Sequence, residues 1–458
     1  MLIFYTPYAI IFIINPSRKE EKNFMSECIA AIATANGTGG VAIIRISGDN
    51  ALNTAEKIFT FSRAPKSVTP NRMYPGKIEG DGFCDFGFMV YFKAPHSFTG
   101  EDIVEFHCHG GVRIAQGILK KLYLLGARPA ERGEFTRRAF LNGKLTLAAA
   151  EGMADMINAE SLALVRAGGM MYFGKLNEDI KNLQDNLKDI LARVAVEIDY
   201  PEEDSEGVDL DRICADLNNS HGKMCRLMQS YGCGSKIKNG VTVAICGKPN
   251  AGKSSLLNAL LGFEKAIVSN EAGTTRDAVE GQLEIDGVIF NLVDTAGIRE
   301  RAGAVESMGI ERAKNLLRSA DIVLSVADEN GFAELPKTFG KVIKVFSKCD
   351  INSPQNEYDA VVSSKTGEGV DGLKKLLVKS SVGEFAADKA YLIEQRHYDA
   401  LKRAAEAIAS AKENIGTLTL DLIRVDLQEA WQALGEITGE TASEEIVSTI
   451  FAKFCVGK

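Results

Sequence analysis

Gly247-Lys248-Pro249-Asn250-Ala251-Gly252-Lys253-Ser254 satisfies G-x-x-x-x-G-K-[ST] and decides how the middle of this chain folds. It follows Val241-Thr242-Val243-Ala244-Ile245-Cys246, an apolar, β-branched run suited to a buried parallel strand. It precedes Ser255-Leu256-Leu257-Asn258-Ala259-Leu260-Leu261, which reads as a helix. Strand, glycine-rich turn and helix in that order make a phosphate cradle. Backbone N–H groups close around the phosphates, Lys253 brings a point charge to the outer ones, and the Ser254 hydroxyl is a ligand for Mg2+. Asn250, Ala251, Gly252 and Ser255 complete the expected nucleotide contacts of this loop.

Downstream, Val288-Ile289-Phe290-Asn291-Leu292-Val293 is a second strand ending in Asp294-Thr295-Ala296-Gly297, a D-x-x-G element whose carboxylate reaches the Mg2+ shell through water. Between the two motifs lies the polar loop Gly273-Thr274-Thr275-Arg276-Asp277. There Thr275 is expected to bind the metal while the terminal phosphate is present and to let go afterwards, and Arg276 is a candidate catalytic residue. Two more apolar strands, 322–326 and 342–346, lead to Ser347-Lys348-Cys349-Asp350 and then to Ser363-Ser364-Lys365, which are expected to read the base. Asp350 accepts from the N1–H and exocyclic amine of guanine, an arrangement adenine does not offer, so GTP is selected over ATP. The usual element is Asn-Lys-x-Asp, and Ser347 stands in place of the asparagine. Without an amide there, a tether between base loop and phosphate loop is shortened or lost, at a cost on the order of 1 kcal/mol per net hydrogen bond.

The catalytic group is less plain. Ile298 follows the D-x-x-G element where Ras-like enzymes place a glutamine to orient the attacking water. Glu306 has two equally weighted readings: it holds a bridging water, or it is the acidic N-terminal charge of the helix that follows. A monovalent cation can supply positive charge in the transition state, with the Asn250 amide and carbonyls of the loop 269–274 as oxygen ligands.

At 458 residues the chain is too long for one core, and two or three domains are expected. The 45% hydrophobic and 25% charged composition is that of a soluble globular protein. A net charge of −8 argues against an indiscriminate nucleic-acid binder while leaving room for a local basic face. None of the nine cysteines forms a C-x-x-C pair, which argues against zinc or a disulfide framework and for cytoplasmic thiols. The apolar stretch Ala9-Ile10-Ile11-Phe12-Ile13-Ile14 is too short to span a bilayer and lacks the flanks of a signal peptide. No membrane association is expected, and residues 1–24 read as an upstream extension before a natural start at Met25.

The flanking segments are patterned too. Residues 29–47 are β-rich with breaks at Gly37, Gly39 and Gly40, and the strand 41–46 carries Arg45. In the run from Phe98-Thr99-Gly100-Glu101-Asp102 to His109-Gly110-Gly111, alternation puts Ile103, Glu105 and His107 on one strand face. His107 and His109 lack the third ligand of a catalytic zinc site, so a strand with polar ends is the expectation. Gly133-Glu134-Phe135-Thr136-Arg137-Arg138-Ala139-Phe140-Leu141-Asn142-Gly143-Lys144 reads on physical grounds as an exposed basic loop. Residues 147–198 are helical up to Tyr200-Pro201, and a second helical block covers 385–454. Its last helix is expected to start with the capping box Thr441-Ala442-Ser443-Glu444 and to carry Ile446, Ile450, Phe451 and Phe454 on one face. The GTPase is thus inserted in a helical domain, reached through Gly232-Cys233-Gly234-Ser235 and left near 380–383, so its motion passes to the helices from both ends.

Together these segments resemble the MnmE (TrmE) family of tRNA modification GTPases, in order over 25–458. The match runs from Gly39-Gly40-Val41 and Arg45-Ile46-Ser47-Gly48 through the Thr99–Gly111 and Gly133–Lys144 segments and the inserted GTPase to the terminal Cys455-Val456-Gly457-Lys458. The resemblance implies a multidomain α/β protein with an N-terminal α+β folate-binding domain, a discontinuous helical domain and an inserted Ras-like P-loop GTPase domain. Its domains would be 25–144, which binds 5-formyl-tetrahydrofolate and dimerises; 145–237 and 383–458, helical; and 238–382, the GTPase.

Carried over by motif, the folate contacts fall on Arg45, Glu105, Lys144 and Lys458, with Cys455 in the tail signature. Arginine and lysine suit the glutamyl carboxylates, and Glu105 suits the donor edge of the pterin. K+ ligands fall on Asn250, Ser269, the carbonyl of Glu271, and Thr274, and Glu306 orients the hydrolytic water. The resemblance also implies a homodimer, a flavin-containing MnmG (GidA) partner completing a heterotetramer, and tRNA as the substrate, modified at C5 of the wobble uridine. Departures from the family pattern are Ser347, Ser269 where threonine is commoner, and Thr146 and Ala149 where Asp and Gln are usual. A ribosome-assembly or other RNA-binding regulatory GTPase would share Gly247 to Asp350 but leave Arg45, Glu105, Lys144 and the tail without a use. A folate-dependent aminomethyltransferase with a degenerate GTPase would show no turnover.

Overall fold

The computed structural model describes residues 27–199, 210–262, 281–295, 306–338, 340–354, 356–383, 392–415 and 419–458, with the backbone alone at 199, 306–310 and 312. In chain order the first elements are β1 (Ile29–Ile32), β2 (Val41–Ser47), α1 (Ala51–Glu56), β3 (Phe59–Phe61), β4 (Met73–Glu79), β5 (Cys84–Phe92), β6 (Ile103–His109), α2 (Val112–Leu124), β7 (Arg128–Pro129) and α3 (Glu134–Leu141). Four helices follow: α4 (Leu147–Asn158), α5 (Leu162–Tyr172), α6 (Lys175–Asp199) and α7 (Leu210–Asn239). Next come β8 (Val241–Gly247), α8 (Lys253–Gly262), β9 (Gly281–Ile285), β10 (Val288–Asp294), α9 (Glu306–Ser319), β11 (Ile322–Ala327), β12 (Lys341–Phe346), β13 (Ala360–Val361) and α10 (Val370–Ser381). The chain closes with α11 (Gln395–Asn414), α12 (Leu420–Thr438) and α13 (Glu444–Phe451). Two compact units result: the described residues up to Ala150 with Ala442–Lys458, and Glu151–Thr441.

The first unit is built on a seven-stranded sheet, β3-β4-β5-β6-β2-β1-β7, antiparallel except where β1 meets β7. Period-two alternation sorts its side chains. Ala30, Ile44, Ile46, Met89, Val104 and Phe106 share a core with Ile118 and Leu122 of α2. Ile29 and Ala31 point the other way and pack with Phe135 of α3. The segment expected to be an exposed basic loop is therefore a helix with a buried face, and Arg138 is 0% exposed. Its guanidinium donates to the Glu27 carbonyl at 2.9 Å, to Glu101 at 3.1 Å and to Glu134 at 2.9 Å. One carboxylate from its own helix and one from 37 residues upstream make burial of that charge tolerable.

The last helix joins this unit. Its N-cap is Ser443, whose hydroxyl accepts from the Ile446 N–H, whereas Thr441 donates to the Gln432 carbonyl; the Thr441–Glu444 capping box is not formed. Val447, Ile450, Phe451 and Phe454 are buried and Ile446 only half-buried, one position off the expected face. Beyond it, Val456 bridges to Arg132, and Gly457 (φ +97°) stands so close to β1 that an added Cβ would lie 2.2 Å from the Ile32 carbonyl oxygen.

In the second unit α6, α7, α11 and α12 pack against one another. Small residues at helical spacing on α11, Ala400, Ala404 and Ala411 among them, are fully buried and allow close approach. The GTPase region forms a six-stranded sheet, β13-β12-β11-β8-β10-β9, parallel apart from the β9–β10 hairpin. Val243, Ala244 and Ile245 of β8 are 0% exposed, which explains an apolar run rather than an alternating one.

The glycines at 232 and 234 are not a linker: α7 runs through them without a break. Gly234 is needed because a Cβ there would meet the Leu392 carbonyl oxygen at 2.0 Å, where the chain returns from the GTPase. Both crossings are clamped at that place. Lys236 donates to the Ser381 carbonyl at 3.2 Å, and Lys238 pairs with Asp155 at 2.8 Å and with Glu394. Burial, together with repulsion from Glu394, pushes the Asp155 carboxyl up despite Lys238. On the far side, the N-terminus of α5 docks on the β9–β10 turn through the Ala163 N–H to the Gly287 carbonyl, 3.1 Å.

Candidate nucleotide site and the amino-terminal charged cluster

The phosphate loop leaves β8 at Gly247, where a Cβ would sit 2.2 Å from the Val326 carbonyl oxygen, so only glycine lets the loop start against β11. It turns back at Gly252 (φ +88°) into the N-terminus of α8, whose free N–H groups favour an anion. Lys253 is buried and folds its ammonium over the loop to donate to the Lys248 carbonyl at 3.0 Å. Ser254 and Ser255 follow in the first turn, both exposed. The Ser254 hydroxyl donates to Asp294 Oδ2 at 2.9 Å. The P-loop hydroxyl and the strand-end carboxylate, 40 residues apart in sequence, are thus brought together as the oxygen pair a hard divalent cation takes. Thr295 anchors the end of β10 by donating to the Ile245 carbonyl at 3.0 Å.

The base loop lies against the phosphate loop. Ser347 keeps the tether that a missing amide put at risk, its hydroxyl being 2.6 Å from the Ala251 carbonyl oxygen: shortened, not lost. Lys348 (φ 60°) donates to the Asn250 carbonyl at 2.7 Å and to Asp328 Oδ2 at 2.9 Å. The hydrogen bond from Lys348 is the main cause that holds the Asp328 carboxyl below its ordinary value. Sequence reasoning passed over Asp328, whose only signal is an acid just after β11. Asp350 is oriented by Ser363, which donates to Oδ1 at 2.7 Å and itself accepts from the Thr366 N–H at 3.2 Å. Oδ2 of Asp350 has no hydrogen-bond partner among the described residues. Half-buried Ser364 and exposed Lys365 stand in the turn that follows.

Ser269, Glu271, Thr274, Thr275, Arg276, Ala296 and Gly297 lie outside the described residues, as do residues 1–24. Glu306 opens α9, but its side chain also lies outside the description.

In the first unit, Arg45 of β2 faces Glu105 of β6 in register, and their side chains pair at 2.8 Å. The guanidinium sits 5.8 Å from the Phe98 ring and 5.6 Å from that of Phe135. Glu105 also shares a hydrogen bond with His107 (3.3 Å) on the same strand face. His109 bonds instead to Asp85 at 2.7 Å, and no group of three metal-ligating side chains occurs among the described residues. Lys144 donates to the Pro95 carbonyl at 2.8 Å, and Lys458 follows Gly457 at β1. Arg45 and Glu105 thus form a charge pair flanked by two aromatic rings.

A mostly parallel sheet with a phosphate loop, a carboxylate at the strand end and an oriented acid in the loop expected to read the base defines a P-loop GTPase, here carried between helices of the same unit. The sequence profile of the MnmE helical domain matches residues 147–455, and that of the GTP-binding protein TrmE N-terminus matches 28–144. The tRNA modification GTPase MnmE of Natranaerobius thermophilus is 38% identical, over 94% of this chain and 99% of its own length. Those of Alkaliphilus metalliredigens (37%) and Laribacter hongkongensis (38%) each cover 95% of this chain and match over 100% of their own. Among solved structures, the G domain of the FeoB iron transporter of T. maritima is 30% identical, covering 31% of this chain and 98% of its own, with a TM-score of 0.24. The chain belongs to the MnmE (TrmE) family and is a GTP-hydrolysing enzyme. No helix among the described residues is long and apolar enough to cross a membrane.

Proposed function

We propose that this enzyme couples GTP hydrolysis to modification of tRNA at C5 of the wobble uridine, U34. The group added is a (carboxymethyl)aminomethyl group, made with a flavin-containing MnmG (GidA)-type partner in a cytoplasmic heterotetramer built on a homodimer. The observation that carries the reading is the placement of the tail. Gly457-Lys458 is seated on β1, in the unit that holds the Arg45–Glu105 pair, an arrangement a purely regulatory RNA-binding GTPase has no use for.

At the nucleotide, Lys253 faces the outer phosphates and Asp350 takes the guanine edge. Ser254 and Thr275 hold Mg2+, with Asp294 behind them. Asn250, Ser269, Glu271 and Thr274 are assigned to K+, Arg276 to charge in the transition state, and Glu306 to the hydrolytic water. In the first unit Glu105 accepts from the pterin, while Arg45, Lys144 and Lys458 take its carboxylates. Bound 5-formyl-tetrahydrofolate supplies the one-carbon unit.

Mass spectrometry of wobble nucleosides from cells lacking the protein tests the substrate: loss of the C5-modified uridine is expected, and unaltered anticodons would overturn the reading. Glu306→Ala is expected to abolish K+-stimulated hydrolysis and leave GTP affinity within about twofold, because a residue that touches the water and not the nucleotide contributes to kcat alone. Unchanged turnover would move the role elsewhere.

A further inference from the structure

Ser347 is 1% exposed, and its Oγ lies 2.6 Å from the Ala251 carbonyl oxygen and 3.1 Å from that of Ala327. A hydroxyl has one proton, and a carbonyl oxygen can only accept. Whichever carbonyl it chooses, the proton is committed inside the fold. Both acceptors are fixed: Ala251 is fully buried in the phosphate loop, and the Ala327 carbonyl, at the end of β11, also accepts from the Ser347 N–H at 2.8 Å. An asparagine at this position would have two amide protons, one for Ala251 and one free for the base.

On guanine, the N1–H and amino edge belongs to the Asp350 carboxylate, so the ring atom left in want of a donor on the opposite edge is N7. Of the three Lys348 protons, two are spent on the Asn250 carbonyl and on Asp328, which tie the ammonium to the phosphate loop and to the acid just after β11. We infer that residue 347 gives this enzyme no hydrogen bond to the nucleotide, so that guanine is selected through its Watson–Crick edge alone and N7 goes unread. Base analogues altered at N7 are then full ligands. The inference rests on the assignment of Ser347-Lys348-Cys349-Asp350 as the guanine loop.

Titration calorimetry of the full chain with Mg2+ and GDP, 7-deaza-GDP or ADP tests it. The wild type is expected to bind GDP and 7-deaza-GDP with a ratio of about 1 and to prefer both over ADP. Ser347→Asn is expected to tighten GDP about fivefold, the worth of one net hydrogen bond, and to leave 7-deaza-GDP unchanged. A wild type that binds 7-deaza-GDP fivefold more weakly than GDP would overturn the inference while leaving the guanine assignment intact. ADP bound as tightly as GDP would overturn the assignment and the inference with it. Should Ser347→Asn fail to fold, the wild-type pair of titrations decides alone.

Discussion

Glu151 is 6% exposed and bonds to His397, itself 0% exposed, at 2.7 Å and to Arg396 at 2.6 Å. Burial by itself pushes this carboxyl up, but His397 and Arg396 outweigh it and hold it at about 2, against an ordinary value of 4.5. The native state therefore favours the charged form, and the gap is worth roughly 3 kcal/mol at neutral pH. That stabilisation is complete above about pH 5 and is lost as pH falls through 4.5 toward 2. Glu151→Gln keeps the shape and removes the charge, so at pH 7 it is expected to cost about 3 kcal/mol, and the difference from wild type is expected to shrink steadily between pH 5 and 3. Trp431 is the single tryptophan and lies in α12, so its fluorescence during urea unfolding follows the helical unit itself. A difference below 1 kcal/mol at pH 7, or one that stays constant down to pH 3, would refute the reasoning.

Three other outcomes are expected. Asp350→Asn should weaken GDP at least about tenfold by calorimetry, since a charged hydrogen bond is lost, and should gain affinity for xanthosine diphosphate, whose 2-carbonyl accepts from an amide. Arg138→Met takes the guanidinium away from Glu101, which keeps the Ser47 hydroxyl, and removes one of the partners of Glu134, so the amino-terminal unit should lose about 3–5 kcal/mol and melt on the order of 10 °C lower, with nucleotide affinity unchanged. Gly457→Ala cannot keep φ +97° or its approach to Ile32, so binding of 5-formyl-tetrahydrofolate measured by calorimetry should fall while GTP affinity holds.

The nucleotide site was legible because its chemistry is written in contiguous runs. A phosphate loop works through consecutive backbone N–H groups, and its glycines, lysine and serine must follow one another at fixed spacing. The buried strands around it declared themselves as apolar runs for a similar local reason. What escaped was set by partners far away in sequence. Arg138 reads as a surface charge until Glu101 and the Glu27 carbonyl are seen around it. The glycines at 232 and 234 read as a linker until the Leu392 carbonyl is found against α7.

By itself, then, the order of residues determined the strands and the phosphate loop, and with them the expectation of a guanine-reading loop, since each depends on neighbours along the chain. Tertiary structure alone decided which charges are buried, that Ser347 still tethers Ala251, and that the tail beyond Thr441 folds with the amino-terminal unit. Burial and long-range hydrogen bonds are properties of what surrounds a side chain, and periodicity along one segment does not encode what another segment brings to it.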